Sequence, residues 1–357
     1  MDAPPLRIGY VPLTDAAPLV VADALGFFAA AGLRVVLSPE RAWATLRDKL
    51  AFGVLDAAHL LGPMAVALAV GAGGLKRRLD VTLRLGRNGN CLVLSHALAD
   101  AAGAVAPPLP AAAFAAALHA RAEEGLPPPT LGVVFPHSSH NYLLREWLAS
   151  GGLDPDHDAR LVVVPPPQMA RALAEGAIEG FCAGEPWGSH AVALGAGRYA
   201  LSTGDIWPDH PEKVLAFAEG FALRATDQVV AATAAVIEAQ RWLDDPANRP
   251  AAAALLAERV FPGMPHATVA AALEGCVAAP PGGLPARLAA PLGFDPDHPP
   301  SPATAERWFA AMRRWGHLPA GAAEDAARGP WRPDLWQRAA ARLAPSASTP
   351  IPQEPAA

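Results

Sequence analysis

The residues of this chain best suited to chemistry are those that could hold a small anion. The loop Pro136-His137-Ser138-Ser139-His140-Asn141 leads from a β-like segment into a helical one. It gathers hydroxyls, imidazoles, an amide and free backbone N–H groups at a helix N-terminus, where negative charge is favoured. An ordinary helix start uses the same residues, with Ser139 or Asn141 as N-cap and the histidines exposed. His137-x-x-His140 makes a poor metal site, because no carboxylate or thiolate accompanies it and the pair does not share a helix face. No metal or other cofactor is expected.

Lys213 is one of three lysines, with Lys49 and Lys76, among 28 basic residues. It offers a compact ammonium to an anion, or else it pairs at the surface with Glu212 or Asp209. Trp43 stands at a helix start, where its indole N–H can donate to an oxyanion or its ring can simply fill the core. Asn90 either donates through its amide or serves the Asn88-Gly89-Asn90 turn.

Catalysis has no comparable foothold. The chain lacks G-x-S-x-G, G-x-x-x-x-G-K-[ST], a G-x-G-x-x-G after a strand, and H-E-x-x-H. Glu185 and His190 could act as an acid/base pair, but Gly184-Glu185-Pro186-Trp187 reads more readily as a strand end and turn. Cys91, Cys182 and Cys276 are spaced roughly ninety residues apart, which suits neither a metal nor a disulfide framework. They read as core filler in a reducing compartment. A binding protein rather than an enzyme is expected.

Positioning such residues takes more than one core. At 357 residues, 52% hydrophobic and 17% charged, the chain is long enough for two lobes. A net charge of −6 and a pI near 6.0 leave no basic stripe, so direct nucleic-acid binding is not expected. The apolar stretch 60–72 is too short and Gly-rich to span a bilayer, and no membrane association is expected. The first residues show no basic or apolar leader, which points to a cytoplasmic protein.

Short β-like runs alternate with helical ones, giving an α/β reading with mostly parallel sheets. Arg7–Pro12, Leu33–Leu37 and Ala57–Leu61 are the early strands. A second unit begins at Thr130–Phe135 and continues through Leu161–Val164 and Ile178–Ala183. Beyond Thr226 the pattern is nearly all helical. The order predicts lobe I from residues 1–90 plus 203–343, lobe II from 91–202, and crossings near 90 and 203. Residues 344–357, rich in Pro, Ser and Ala, are expected to be a disordered tail.

Taken together, several blocks resemble the nitrate and bicarbonate binding-protein family of bacterial ABC importers. They are Trp43-Ala44-Thr45-Leu46-Arg47-Asp48-Lys49-Leu50, Asp56 to Met64, His140 to Leu148, Val163 to Met169, Gly180 to Trp187 and Trp207 to Lys213. The resemblance runs in order over roughly residues 6–250. It implies the periplasmic-binding-protein type II fold, with two α/β lobes, two crossovers and a helical C-terminal region. It also implies a ligand held between the lobes by a Trp, an amide, a His loop and a Lys. These fall on Trp43, Asn90, His140 and Lys213, with Ser139 and Asn141 beside them in the loop.

Two positions depart from the family pattern. Asn90 stands where the transporter proteins typically have Gln, and His137-Ser138-Ser139-His140-Asn141 replaces the usual Gly-Gly-Thr-His-Asp. In the family a carboxylate at the Lys213 position accompanies bicarbonate and calcium, so the lysine favours nitrate or nitrite without a metal. The absent leader makes the chain look like the family's cytosolic nitrate/nitrite sensors, which regulate nitrate assimilation by sequestering an RNA-binding antiterminator of the ANTAR class. The substrate-binding subunit of a transporter is the alternative. An enzyme such as the pyrimidine-forming thiamin proteins is disfavoured, because the three cysteines are scattered.

Overall fold

A computed structural model describes residues 4–104 and 106–343. The expected tail, 344–357, lies outside the described residues. Two five-stranded sheets carry the fold. The first is built from β1 (Leu6–Tyr10), β2 (Val35–Pro39), β3 (Ala57–Leu61) and β4 (Asp80–Arg84). The second takes β5 (Asn90–Leu94), β6 (Thr130–Val133), β7 (Arg160–Val163), β8 (Gly180–Gly184) and β9 (Arg198–Ser202), and β10 (Lys213–Phe217) returns to the first.

The sheet orders are β2-β1-β3-β10-β4 and β7-β6-β8-β5-β9. In each, four strands run the same way and a long-range strand, β10 or β5, is inserted antiparallel between the third and the edge strand. β10 sets Lys213 opposite Leu61 of β3, and β5 sets Asn90 opposite Gly184 of β8. The chain therefore leaves the first sheet between β4 and β5 and re-enters it between β9 and β10. This is the two-lobed α/β, type II binding-protein architecture that the resemblance implies.

The buried strands explain themselves by composition. All five residues of β3, β5, β8 and β10 are buried, as unbroken runs must be when helices cover both faces of a sheet. Between β1 and β2 the chain forms two helices, Ala17–Ala24 and Phe27–Ala30. Gly26 between them sits at φ 78°, a conformation that ends a helix and that only glycine adopts without strain.

Behind the first sheet lies the helix Thr226–Asp244, most of whose residues are buried. Thr233 Oγ1 meets Thr82 Oγ1 at 2.8 Å, and the Gln240 amide donates to the carbonyls of Arg84 and Leu85. The remaining C-terminal region reaches both lobes. Asp295 pairs with Arg84 and Arg87 beside the first sheet. Ala278 N–H donates to Ser189 Oγ, and Tyr142 O–H lies 3.1 Å from His317 Nδ1, on the second lobe's side.

The lobes are closed on each other. Thr14 donates its N–H and its hydroxyl to the Glu185 carbonyl at 2.8 and 3.0 Å, and Trp187 Nε1 donates to the Pro12 carbonyl at 2.9 Å. One hydrophobic cluster runs through both, joining Leu13, Trp43 and Met64 to Tyr142, Leu143 and Phe181. No helix among the described residues is long and apolar enough to cross a membrane.

Candidate functional site

The parallel strands of both sheets direct their carboxyl ends toward the cleft, the usual ligand position in open α/β sheets. Just after β1, the turn Thr14–Ala16 carries Asp15. Its two oxygens divide their partners: Oδ2 lies 2.8 Å from Lys213 Nζ, and Oδ1 lies 2.9 Å from His59 Nε2 on β3. Lys213 opens β10 with 0% of its surface exposed. Its ammonium also contacts Glu212 Oε1 at 2.5 Å. A buried lysine is tolerated here because two carboxylates and the Trp43 ring, centred 5.6 Å from Nζ, surround its charge.

From Glu212 the cluster continues into the second lobe. His140 Nδ1 lies 3.9 Å from Glu212 Oε1, and His210 Nδ1 lies 3.6 Å from Glu212 Oε2. His210 Nε2 meets the Thr203 hydroxyl at 2.7 Å, and that hydroxyl is 3.4 Å from the Asn90 carbonyl. The Trp43 and His59 rings stand 5.7 Å apart on the other side. Elements far apart in sequence thus converge on one spot.

Charge is tightly arranged. Burial pushes the Asp15 carboxyl up, but Lys213 and His59 more than offset this and hold it well below the usual range. Glu212 is likewise depressed: burial opposes, and Lys213, His140 and His210 prevail. Lys213 itself is raised, its two carboxylates outweighing burial. His140 is pulled down to about 3, chiefly by burial with Lys213 contributing. The His210 imidazole is lowered by burial too. Both rings are therefore neutral near pH 7.

What this arrangement can do follows from its unmatched atoms. Trp43 Nε1, both amide atoms of Asn90, Ser139 Oγ, both ring nitrogens of His140, His210 Nδ1 and Glu212 Oε2 are buried without hydrogen-bond partners. Each such atom costs about 1–3 kcal/mol if left unsatisfied, so their concentration here makes this the candidate binding site. Most are donors or can be. Together with the first turn of the helix Ser139–Ser150, they suit the oxygens of a small oxyanion.

The structure brings Trp43, Asn90, Ser139, His140 and Lys213 together and sets Asn141 apart. Asn141 donates through Nδ2 to the Pro136 carbonyl at 2.7 Å and accepts from Arg145 Nε at 3.2 Å. Both ends of its side chain are engaged in shaping the loop, so it stands apart from the unpartnered donors of the cluster. The N-cap is Ser138, whose hydroxyl accepts from Asn141 N–H, and not Ser139 or Asn141. His137 and His140 are buried, where the N-cap reading had them exposed. Lys213 does pair with Glu212, but in the interior; Asp209 pairs with Arg87 instead. Glu185 is bonded to Ser189 N and Oγ and forms no acid/base pair with His190.

The sequence reading does not reach Asp15, His59, His210 or the interior placement of Glu212. Only His59 carried a local signal, an imidazole within the apolar run Ala57–Leu61. Asp15 becomes visible only once the first sheet places the turn after β1 beside β10. The three cysteines are free, with Cys91 and Cys182 buried.

The chain is similar to several known proteins in sequence and in fold. The pattern of the NMT1-like family matches residues 1–257. The nitrate/nitrite binding protein NrtA of a Nostoc species is 30% identical over 343 residues, covering 94% of this chain and 76% of that one. The bicarbonate transport ATP-binding protein CmpC of Synechococcus elongatus is 39% identical over 262 residues, covering 73% of this chain but only 38% of that longer protein. Among solved structures, the periplasmic nitrate-binding protein NrtA from Synechocystis superposes with a TM-score of 0.84 at 30% identity, over 96% of this chain and 90% of that one.

Proposed function

This chain belongs to the NMT1-like family, and from that premise we propose that it closes around a single nitrate or nitrite ion and serves as the substrate-binding part of an importer. The observation that carries the reading is the ring of buried, unpartnered donors from Trp43, Asn90, Ser139 and His140 beside the Lys213 ammonium. A buried monoanion needs both positive charge and hydrogen bonds to each oxygen; this pocket offers the hydrogen bonds from opposite lobes, and its one ammonium, Lys213, is shared with Asp15 and Glu212. Closure would then be the ligand's doing: an anion that bridges the lobes favours the closed form by its differential affinity. Binding without turnover fits a pocket that lacks a nucleophile held by a base.

A second ligand is favoured by one atom. Glu212 Oε2 is a buried acceptor with no partner, which repels nitrate but would accept the O–H of hydrogencarbonate. The narrower sensor reading, a cytosolic protein acting through an ANTAR-class antiterminator, draws on no residue of the site. Import is the role that the named relatives support.

Titration calorimetry with nitrate, nitrite and hydrogencarbonate, each with and without calcium, is the test. Nitrate or nitrite should bind without calcium. Trp43→Phe, which keeps a ring and removes one N–H, should bind about tenfold more weakly, the effect of roughly one hydrogen bond to an anion. Calcium-dependent binding of hydrogencarbonate alone would overturn the reading.

A further inference from the structure

The formal charges in the pocket do not leave room for a bare anion. Two carboxylates, Asp15 and Glu212, already flank the single ammonium of Lys213. His59 sits on the far oxygen of Asp15, so even a charged His59 brings these four groups only to neutrality. A nitrate or nitrite ion adds one more negative charge to a dry, balanced cluster. Uncompensated charge in such a place is strongly unfavourable.

Resting on the anion reading above, we propose that the pocket takes up one proton with each nitrate or nitrite ion, and that His140 holds it. His140 is completely buried, and both its ring nitrogens lack partners. One nitrogen can therefore donate to the ligand while the other faces Glu212 Oε1, 3.9 Å away. The remaining groups are less free. His59 Nε2 is committed to Asp15 and His210 Nε2 to Thr203. Trp43, Asn90 and Ser139 carry no charge, and the Cys182 thiol on β8 is pushed up by burial and stays neutral.

The sign of the effect follows from the neighbours. In the empty pocket burial and Lys213 keep the His140 ring near 3, against the pull of Glu212. An anion beside the ring counters Lys213 and favours the imidazolium. Protons are then taken up on binding at any pH between the low value of the empty pocket and the higher value of the complex. Across that window affinity falls about tenfold per pH unit, and above the higher value this proton no longer affects it. Hydrogencarbonate differs, because its own O–H can be given to Glu212 Oε2 and no uptake is needed.

Calorimetry at about pH 7 in phosphate and in Tris, buffers of very different ionisation enthalpy, counts the protons directly. Nitrate should take up about one proton per ion, and His140→Gln, which keeps a neutral donor, should bind with none. Nitrate binding with the same heat in both buffers would overturn the proposal. Uptake that persists in His140→Gln but disappears in His210→Gln would overturn the assignment to His140. Absence of any binding heat with nitrate or nitrite would instead refute the ligand reading and, with it, this inference.

Discussion

Replacing Lys213 by Met keeps most of the side chain's length and its apolar stem and removes its charge. Asp15 and Glu212, with side chains 3% and 1% exposed, would then remain in the interior without their cation. Removing one partner of a buried pair costs about 3–5 kcal/mol, a large part of a total stability of roughly 5–15 kcal/mol. At about 2 °C per kcal/mol for a long chain, the melting midpoint at pH 7.5 should fall by roughly 6–10 °C. The loss should also depend on pH. In the native protein both carboxyls are depressed by Lys213, so their stabilisation is present above the ordinary carboxylate range and is lost as pH falls through their low folded values. Without Lys213 the largest force opposing burial at Glu212 is gone and protonation becomes easier, so the gap between variant and native protein should narrow as the pH drops toward about 4. Adding Asp15→Asn and Glu212→Gln should recover most of the midpoint by leaving no charge to compensate. Thermal and urea unfolding at pH 7.5 and 4.5 measure all of this. An unchanged midpoint in the single variant, or a gap independent of pH, would refute the claim that this triad is a buried, mutually dependent charge cluster.

Two further outcomes are expected. Glu185 is raised to about 7 by burial, with hydrogen bonds from Ser189 working against the shift; a raised carboxyl contributes fully below its unfolded value and loses that contribution as pH rises through its folded one. Glu185→Gln should therefore flatten the decline in stability between about pH 4.5 and about 7 and raise the melting midpoint in mild alkali, and an unaltered pH profile would count against it. At Gly188 an added Cβ would lie 2.0 Å from Cys91 Sγ, so Gly188→Ala should cost about 1–3 kcal/mol in urea unfolding, and Cys91→Ala in the same chain should return most of it. Simple additivity of the two changes would contradict the contact.

The sheets were legible where the chain writes unbroken apolar runs. Ala57–Leu61 and the strand before the His loop could be found by eye, because a strand covered on both faces must be apolar throughout. The antiparallel strand Asp80–Arg84 was not, since its charged ends and the intervening Thr82 break that pattern. Within the site, residues in distinctive local settings stood out: the lone lysine, the tryptophan at a helix start, and the histidine loop. Asp15 and His210 lie in ordinary turns and gain meaning only from what tertiary structure sets opposite them. Asn141 shows the reverse limit, because an amide at a helix start looks free in sequence while a neighbouring carbonyl and Arg145 engage both its ends. Ser138 and Ser139 are equivalent as letters, and backbone geometry alone decides that one caps the helix and the other is buried without a partner.

The scarcity of lysine has a consequence for how the molecule can be observed. Lys76 is exposed and Lys49 has 39% of its side chain in solvent, whereas Lys213 is sealed between the lobes as a charged, unreactive ammonium. An acylating reagent can reach that amine only when the cleft parts and the carboxylates release it. The two surface lysines then serve as internal standards, and the slow appearance of the third adduct is a clock for opening, built into the composition of the chain.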